Sequence, residues 1–491
     1  MAWVVFFFLC LLLSLCVAHP ILSPIEEGLS FSPLLLKSAR SEPQAIRSHK
    51  AEYIFDHGQK YASKPPELKR FTCLTIGTRG DVQPYIALCQ RLQEDGHTCT
   101  IATHKVFEGL IKGYGIGFAE IAGDPAELIK HCIEHGMLSI SFWWKGYHRF
   151  KDWFAGLTQS AWVACQNTDV LIESPSTFVG VHIAQSKGID YIRAFTMPWT
   201  KTTEYPHAFA VPPYDLGGWY NKFSYKVFDY VIWKALSSPI NAWRKADLSL
   251  AKTSLSKLNI ERIPFLYNFS PKIVPKASDW GENTVVTGYW FTKPKSGEIE
   301  ELDHELQRAI KKAKNEDKKV VIVPDPGKVT DAVTGALEEN KNIFAVVSGG
   351  WTSNDNEAES SMLNAFRKYK DSIYYVKSVP HESLFPKIDA ALHHGGAGTT
   401  AASMRAGIYT MIHPFFGGSN IHLTWAQRVE SLRIGKHVKA LTMKDIDLAL
   451  KEVLKISSEN SNSKSIGEDI RNEDGVSVAA KAIYKVSGVK T

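Results

Sequence analysis

The chain has few cysteines, and its excess of positive charge is small. Seven of its 491 residues are cysteine, and the net charge is +6. The cysteine spacings fit no zinc-binding pattern, and so weak a charge gives no reason to expect a nucleic-acid partner. The turn Gly77–Gly80 also lacks the Gly-x-Gly-x-x-Gly pattern with a later acidic residue, which argues against a dinucleotide-dependent dehydrogenase.

Five cysteines remain once the two in the amino-terminal leader, Cys10 and Cys16, are set aside. An odd number cannot be fully paired. Cys73, Cys89 and Cys99 fall on faces that the apolar pattern predicts to be buried. We therefore expect these three to be small core residues.

The amino terminus predicts a targeting segment. Val4–Cys16 is almost continuously apolar and is followed by small residues as far as Ala18. This pattern predicts that residues 1–18 are a secretory signal peptide or an uncleaved membrane anchor. Either predicts the secretory pathway or endoplasmic reticulum, with a protein that is membrane-associated or secreted. Residues 19–65 are rich in serine, proline and charge, and we expect a poorly ordered lead-in.

The segment Asp389–Thr400, Asp-Ala-Ala-Leu-His-His-Gly-Gly-Ala-Gly-Thr-Thr, predicts an anion site. Its apolar start indicates a buried strand over 390–392, the glycines form a turn, and a helix over 400–405 follows. Backbone N–H groups and the positive end of the helix dipole then point at whatever fills the turn. Glycine lets the backbone approach a phosphate closely, so the predicted ligand is a phosphate or diphosphate.

Strand-like and helix-like segments alternate along the rest of the chain, in two series. Such alternation predicts two doubly wound α/β domains, each with a parallel sheet covered on both faces. We predict an N-terminal domain over 66–280, a linker region over 281–318, a C-terminal domain over 319–455 and a C-terminal tail or helix over 456–491. One glycine turn lies in each domain, at the carboxyl ends of strands, so the two turns should face each other across an inter-domain cleft.

Two long motifs carry a resemblance to a known family. Gly77–Pro84 reads Gly-Thr-Arg-Gly-Asp-Val-Gln-Pro, and His393–Ala402 reads His-His-Gly-Gly-Ala-Gly-Thr-Thr-Ala-Ala. Both resemble signatures of the sterol 3β-glucosyltransferases, and are similar to those of the glycopeptide-antibiotic glycosyltransferases. Gly288–Phe291 and Val379–Glu382 resemble further landmarks, and the match runs from about residue 71 to about residue 453.

The resemblance implies a GT-B fold: two facing Rossmann-like domains with a cleft between them. It implies inverting transfer of a hexose, usually glucose, from a UDP-sugar to a hydroxyl group, most simply the 3β-hydroxyl of a sterol. The N-terminal domain, similar to glycosyltransferase family 28, would bind the acceptor, and the C-terminal domain the UDP-sugar. No cofactor or metal is expected, because backbone donors and histidine can stabilise the leaving diphosphate.

The family motif assigns the catalytic base to Asp81, with Thr78 and Arg79 beside it at the cleft. Without the resemblance, the favoured interpretation of Asp81 is a first-turn carboxylate that complements the helix dipole; with it, catalysis is favoured. The residues expected to bind UDP are those of the second turn together with two from the preceding landmark: His394, Gly395, Gly396, Ala397, Gly398, Thr399, Thr400, Val379 and His381.

Other segments have more than one interpretation. Asp445-Ile446-Asp447 spells a metal-binding pattern, but Thr442 three residues before Asp445 predicts a capping box at a helix start. Aromatic residues crowd 142–154, among them Trp143 and Trp144, and again 214–243. Plain core packing and contact with an apolar acceptor or a membrane surface both remain open for these segments.

Two departures from the family pattern bear on activity. Relatives carry Gly-Phe-Gly-Ser after the first strand of the C-terminal domain. Here 318–326 contains no such motif. This predicts that most of a central strand and its turn are lost, unless 320–323 replaces that strand. Relatives also place Asp-Gln after Pro414–Gly417 to hold the sugar, where this chain offers Ser419, Asn420 and His422. The alternative hypothesis is therefore a catalytically impaired GT-B protein, or a mis-spliced gene product, that binds nucleotide or lipid without turnover.

Overall fold

The structure is a computed structural model that describes residues 67–123, 140–212, 214–293, 301–324, 330–349, 369, 371–414, 420–455 and 462–489. From Glu67 onward the chain forms one compact unit. It contains two parallel β-sheets, one of seven strands and one of six. The predicted leader and lead-in, residues 1–65, lie outside the described residues.

The first sheet is built from buried apolar strands joined by helical crossovers. Its strands are β1 (Arg70–Leu74), β2 (Thr98–His104), β3 (Gly117–Ile121), β4 (Val170–Glu173), β5 (Asp190–Phe195), β6 (Phe265–Tyr267) and β7 (Thr284–Val286). The helices of this half are α1 (Arg79–Glu94), α2 (Glu108–Gly113), α3 (Ile140–Ala164), α4 (Gly180–Lys187), α5 (Gly217–Ala246) and α6 (Leu255–Leu258). The strand order is β3-β2-β1-β4-β5-β6-β7, and all neighbours are parallel.

The second sheet repeats this plan. Its strands are β8 (Lys319–Pro324), β9 (Ile343–Ser348), β10 (Ile373–Val376), β11 (Ala390–His393), β12 (Tyr409–Ile412) and β13 (Gly435–His437). Its helices are α7 (His304–Asn315), α8 (Thr330–Glu339), α9 (His381–Leu384), α10 (Ala397–Ala406), α11 (Asn420–Ser431) and α12 (Met443–Leu454), followed by α13 (Asn462–Asn472) and α14 (Gly475–Ser487). The order is β10-β9-β8-β11-β12-β13, again parallel throughout.

Apolar side chains join the two halves. One buried cluster contains Phe269 and Trp280 from the first half and Met404 and Trp425 from the second. The last helix, α14, returns to the first half, where Ile483 is buried in the core of the first sheet. The Tyr484 hydroxyl donates to Asp95 Oδ2 at 2.6 Å. The predicted C-terminal tail is therefore two helices, the second of which fastens the C-terminus to the N-terminal half.

The central strand of the second sheet is present, which confirms the alternative that 320–323 replaces the missing motif. β8 pairs with β9 along six residues and with β11 on its other side. Val320, Val321 and Val323 are fully buried, so this apolar run supplies the strand that the missing family motif suggested was lost. The turn after it, residues 325–329, lies outside the described residues.

The boundary between the halves also differs from the prediction. β7 lies within 281–318, yet it pairs with β6 and extends the first sheet. The amphipathic helix α7 lies in the same region and buries Leu306 and Ile310 against the second sheet. The charged residues of 281–318 hid both elements because one strand is only three residues long and α7 is apolar on one face alone.

Two of the three predicted core cysteines form a disulfide, Cys89–Cys99, with the Cα atoms 5.5 Å apart. Cys73 is buried beside them, with its Sγ 3.8 Å from that of Cys89. Burial was predicted correctly, but the pairing was not. Residues 89 and 99 lie on α1 and β2, and their juxtaposition depends on how that helix packs on the sheet.

None of the described helices is both long enough and apolar enough to cross a membrane.

Candidate active site

The two glycine turns meet at the carboxyl ends of β1 and β11. The turn after β1 leads into α1, and the turn after β11 leads into α10. A Cβ atom placed on Gly398 would lie 3.7 Å from the Cα of Gly80, so the two turns face each other at van der Waals distance. Burial lowers the pKa of His381 in the second half, and the charge of Arg79 in the first half contributes to the lowering. Both predicted motifs thus line one cleft.

Asp81 lies in the first turn of α1, and Thr78 is the N-cap residue. The Thr78 backbone N–H and hydroxyl both donate to Asp81 Oδ2, at 2.8 and 2.9 Å. The other carboxylate oxygen, Oδ1, accepts neither bond. Gly77 has φ +130°, and a Cβ there would overlap the Asp81 carboxylate. The turn therefore requires glycine at this position to seat the acid.

Desolvation raises the pKa of Asp81, and the two Thr78 hydrogen bonds oppose that rise. A carboxylate with a raised pKa is a stronger proton acceptor than an ordinary one. Asp81 caps the helix, as the helix-dipole alternative requires. A raised pKa is also what a general base needs, and the catalytic role of Asp81 stays a prediction.

A buried histidine holds the second turn in shape. The Gly395 N–H donates to His393 Nδ1 at 3.1 Å. Since Nδ1 accepts, the ring proton sits on Nε2, which lies 3.4 Å from Ser403 Oγ. Thr410 Oγ1 donates to the same hydroxyl at 3.0 Å. Burial lowers the pKa of His393 well below its ordinary value, so the ring is neutral.

Sequence reasoning treated His393 only as part of a motif and missed Ser403 and Thr410 altogether. Both are completely buried. Ser403 follows the motif on α10, and Thr410 lies on β12. Their only signal in the sequence is that they are polar residues at positions where the pattern predicts burial.

Gly395 cannot be replaced without strain. Its φ is +91°, and a Cβ would lie 2.6 Å from Ile412 Cγ2 and 3.3 Å from His422 Cβ. Gly396 is the N-cap residue of α10, which begins at Ala397. The helix thus starts three residues earlier than predicted. The N–H groups of Ala397, Gly398 and Thr399 form its first turn and have no partner within the helix. They are therefore available to an anion in the cleft.

Two histidine rings flank this helix start. His394 follows β11, His422 lies in the first turn of α11, and the ring centroids are 5.1 Å apart in an edge-on arrangement. Burial, together with the charges of His422 and His381, lowers the pKa of His394 to about 3. Burial lowers the pKa of His422 to about 4. Both rings are neutral at physiological pH, and each can present one N–H donor.

The remaining predicted residues fall in different places. Val379 is half-buried just before α9, and His381 is the first residue of that helix. Thr400 is completely buried, so its side chain belongs to the interior. Asn420 begins α11. Trp143 and Trp144 lie on α3, but their side chains, like all of Ser419, are outside the described residues.

The Asp-x-Asp segment has the capping structure that was predicted for it. Thr442 is the N-cap residue of α12, and its hydroxyl accepts from the Asp445 N–H at 3.2 Å. Asp447 accepts from Lys451 and from Asn340, each at 2.7 Å. The Asp445 carboxylate accepts from the Thr442 hydroxyl at 2.5 Å. Hydrogen bonds at the start of the helix, within it and to Asn340, which follows α8, therefore account for both carboxylates.

Residues 71–206 match the glycosyltransferase family 28 N-terminal domain. Over 435 residues the chain is 46% identical to a sterol 3-beta-glucosyltransferase of Cryptococcus neoformans var. neoformans serotype D, covering 86% of this chain and 27% of that protein. A second sterol 3-beta-glucosyltransferase, from Aspergillus clavatus, is 43% identical over 86% of this chain and 30% of its own length. The predicted family resemblance is confirmed. The chain spans less than a third of the length of these relatives.

Solved structures confirm the GT-B fold. The calicheamicin glycosyltransferase CalG4 superimposes with a TM-score of 0.60 at 14% identity, over 86% of this chain and 98% of that one. The Streptomyces glycosyltransferase SsfS6, complexed with thymidine diphosphate, gives a TM-score of 0.52 at 13% identity, over 84% of this chain and 99% of its own. The resemblance to sterol 3β-glucosyltransferases is thus found in a chain that forms both sheets and brings the two glycine turns together.

Proposed function

We propose that the chain is an inverting glycosyltransferase that moves a hexose, most simply glucose, from a UDP-sugar to the 3β-hydroxyl of a sterol. The observation that carries the proposal is the meeting of two sites in one cleft. The Asp81 carboxylate lies just after the first glycine turn, and the open N–H groups of α10 lie just after the second. The backbones of the two turns are in contact range of each other. The names of the relatives supply the sugar and the acceptor class.

The reaction needs one base and one anion site. The acceptor oxygen attacks the anomeric carbon while Asp81 takes its proton. The bond from that carbon to the diphosphate oxygen breaks, and its electron pair leaves with UDP. Negative charge grows on the diphosphate, where the first N–H groups of α10 and a neutral His394 can donate hydrogen bonds. Attack opposite the leaving group inverts the anomeric centre.

The test is direct. Purified full-length protein is incubated with labelled UDP-glucose and ergosterol or sitosterol, and labelled lipid is measured. Calorimetry of UDP binding is run in parallel. Product supports the proposal. UDP binding without product would favour the impaired protein instead, and absence of both would overturn the donor site.

His394→Ala should weaken UDP binding by roughly tenfold or more, because one hydrogen-bond donor to a charged group is lost. His422→Ala in the same titration tests whether this neighbour, in place of the Asp-Gln of relatives, also contacts the donor. His304 is exposed on α7, so His304→Ala is the matched control. Unchanged affinity in His394→Ala would remove this residue from the site.

We also propose that the protein works on a membrane-associated lipid in the secretory pathway, as the leader pattern predicts. Fractionation of cells that express the full chain checks this proposal. Recovery of the protein in the cytosol alone would contradict it.

A further inference from the structure

Helix α5 carries an exposed aromatic face. Trp219 is 75% exposed and Tyr230 is 42% exposed, although both are large apolar side chains. The ring of Phe223 stacks on that of Trp219 at 5.1 Å. Positions 219, 223 and 230 recur at helical spacing, so the three rings lie along one side of the helix.

Three lysines share this side. Lys222, Lys226 and Lys234 are all exposed, and the Lys234 ammonium lies 5.4 Å from the centroid of the Tyr230 ring. We call these six residues the α5 stripe: Trp219, Lys222, Phe223, Lys226, Tyr230 and Lys234. No acid belongs to the stripe. The acids nearest in sequence are Asp215, whose side chain accepts from the Gly217 N–H, and Asp229, which lines a cavity beneath the helix.

The opposite side of α5 lines that cavity. Ile232, Leu236 and Ile240 line it from the helix, and Phe178 and Trp199 line it from the rest of the N-terminal half. Its volume is about 60 Å³. The helix therefore separates an aromatic, basic outer surface from an apolar interior space.

The start of α5 also lies next to the other half of the protein. Gln427 of α11 donates to the carbonyl oxygen of Pro212 at 3.2 Å, only a few residues before the helix begins. Because α11 also carries His422, the segment that leads into α5 contacts a helix of the candidate site.

We propose that the α5 stripe docks on the surface of an anionic lipid bilayer. Exposed tryptophan and tyrosine rings suit the boundary between headgroups and acyl chains, and lysines are attracted to anionic headgroups. Helix α5 covers a sheet, and its outer side exposes aromatic and lysine side chains and no acid. This side therefore matches an anionic bilayer in both polarity and charge. Docking would bring the cleft to a sterol held in the bilayer, and this role rests on the proposed function.

The first experiment measures vesicle binding of the full chain by co-sedimentation. Vesicles of phosphatidylcholine are compared with vesicles in which roughly a quarter of the lipid is phosphatidylserine. K222E/K226E/K234E should bind the anionic vesicles about tenfold or more weakly than the unchanged protein. The matched control reverses three exposed lysines of the C-terminal half, K387E/K444E/K481E, and should bind as the unchanged protein does. Equal losses in both triples, or none in either, would overturn the docking.

A local measurement removes any contribution of the amino-terminal leader, which all variants share. Hydroxyl-radical labelling should modify Trp219 in solution, and anionic vesicles should protect it. Met443, 44% exposed on α12, should stay equally reactive. Protection of Trp219 at high protein concentration without vesicles would show a second copy of the chain on this face and would overturn the proposal.

Turnover separates this inference from the proposed function. With sterol delivered in detergent, the stripe triple should transfer glucose at the unchanged rate, whereas with sterol in anionic vesicles its rate should fall about tenfold. Absence of turnover under every condition would contradict the proposed function, and the docking would then be judged from vesicle binding alone. Equal rates of the triple and the unchanged protein on vesicles would overturn the delivery role.

Discussion

Asp81→Asn should lower glucosyl transfer by about 100- to 10,000-fold, the usual contribution of a positioned general base. Asparagine has almost the same shape, and its side-chain oxygen can still accept the two hydrogen bonds from Thr78. It cannot take the proton of the acceptor hydroxyl. UDP affinity, measured by calorimetry, should be nearly unchanged, because the proposed diphosphate site lies in the other half of the protein.

The chain contains a matched control for this substitution. Asp445 is also a first-turn carboxylate paired with an N-cap threonine, Thr442, but it lies on α12. If Asp81 acts only as a helix cap, Asp81→Asn and Asp445→Asn should have similar, small effects on the urea midpoint and on activity. We expect only Asp81→Asn to abolish turnover. Full activity in that variant would show that the base assignment is wrong.

The pH dependence of the rate of the unchanged protein tests the role of Asp81 independently. The base works only when it is deprotonated, so the rate should fall on the acid side. Because desolvation raises the pKa of Asp81, the fall should begin above the range of an ordinary aspartate. Rates are measured at saturating donor and acceptor, so that binding does not contribute to the profile.

The strands of the second half show how far the sequence could predict the fold. Residues 373–376 and 409–412 form two of its strands, and short apolar runs of this kind between turn residues carry a clear strand signal. The start of α10 was placed too late, since glycine and alanine at its first turn do not reveal a helix by apolar spacing. The Cys89–Cys99 disulfide required knowledge of how α1 packs on β2.

Long motifs placed the two turns and Asp81, and the structure brings the two turns together. The roles of these residues in binding and catalysis stay predictions. The network that fixes the second turn did not follow from the motifs, because Ser403 and Thr410 lie on different elements and meet His393 only in the folded chain. The strand β8 followed from its apolar pattern rather than from a motif. The missing family motif suggested a missing strand, and the four apolar residues of 320–323, the alternative that the sequence left open, form it.

Acid should unfold this protein well before it protonates most carboxylates. Burial lowers the pKa of His182 and of His207 to about 3, with the charge of Arg244 contributing at His182. His394 and His422 are lowered similarly. The unfolded chain, with histidine pKa values near about 6.5, then binds more protons than the folded chain. The stabilisation is complete above about pH 6.5 and is lost as the pH falls from there towards 3.

The effect is large because several histidines act together. At pH 5 each histidine with a folded pKa of about 3 removes about 2 kcal/mol from the free energy of unfolding. Asp229 opposes this, since burial raises its pKa to about 6, but one carboxyl returns only about 1–2 kcal/mol at the same pH. We therefore expect the urea midpoint to fall steeply between about pH 6.5 and 5.

Substitution of one buried histidine tests the cause. His207 is stacked on Phe228 with ring centroids 3.9 Å apart, and its Nδ1 accepts from the Phe209 N–H. His207→Gln should be less stable than the unchanged protein at neutral pH, yet its stability should depend less on pH by about one proton. His304→Gln, at an exposed position, should keep the original slope. If both variants keep it, protonation of buried histidines is not what unfolds the chain in acid.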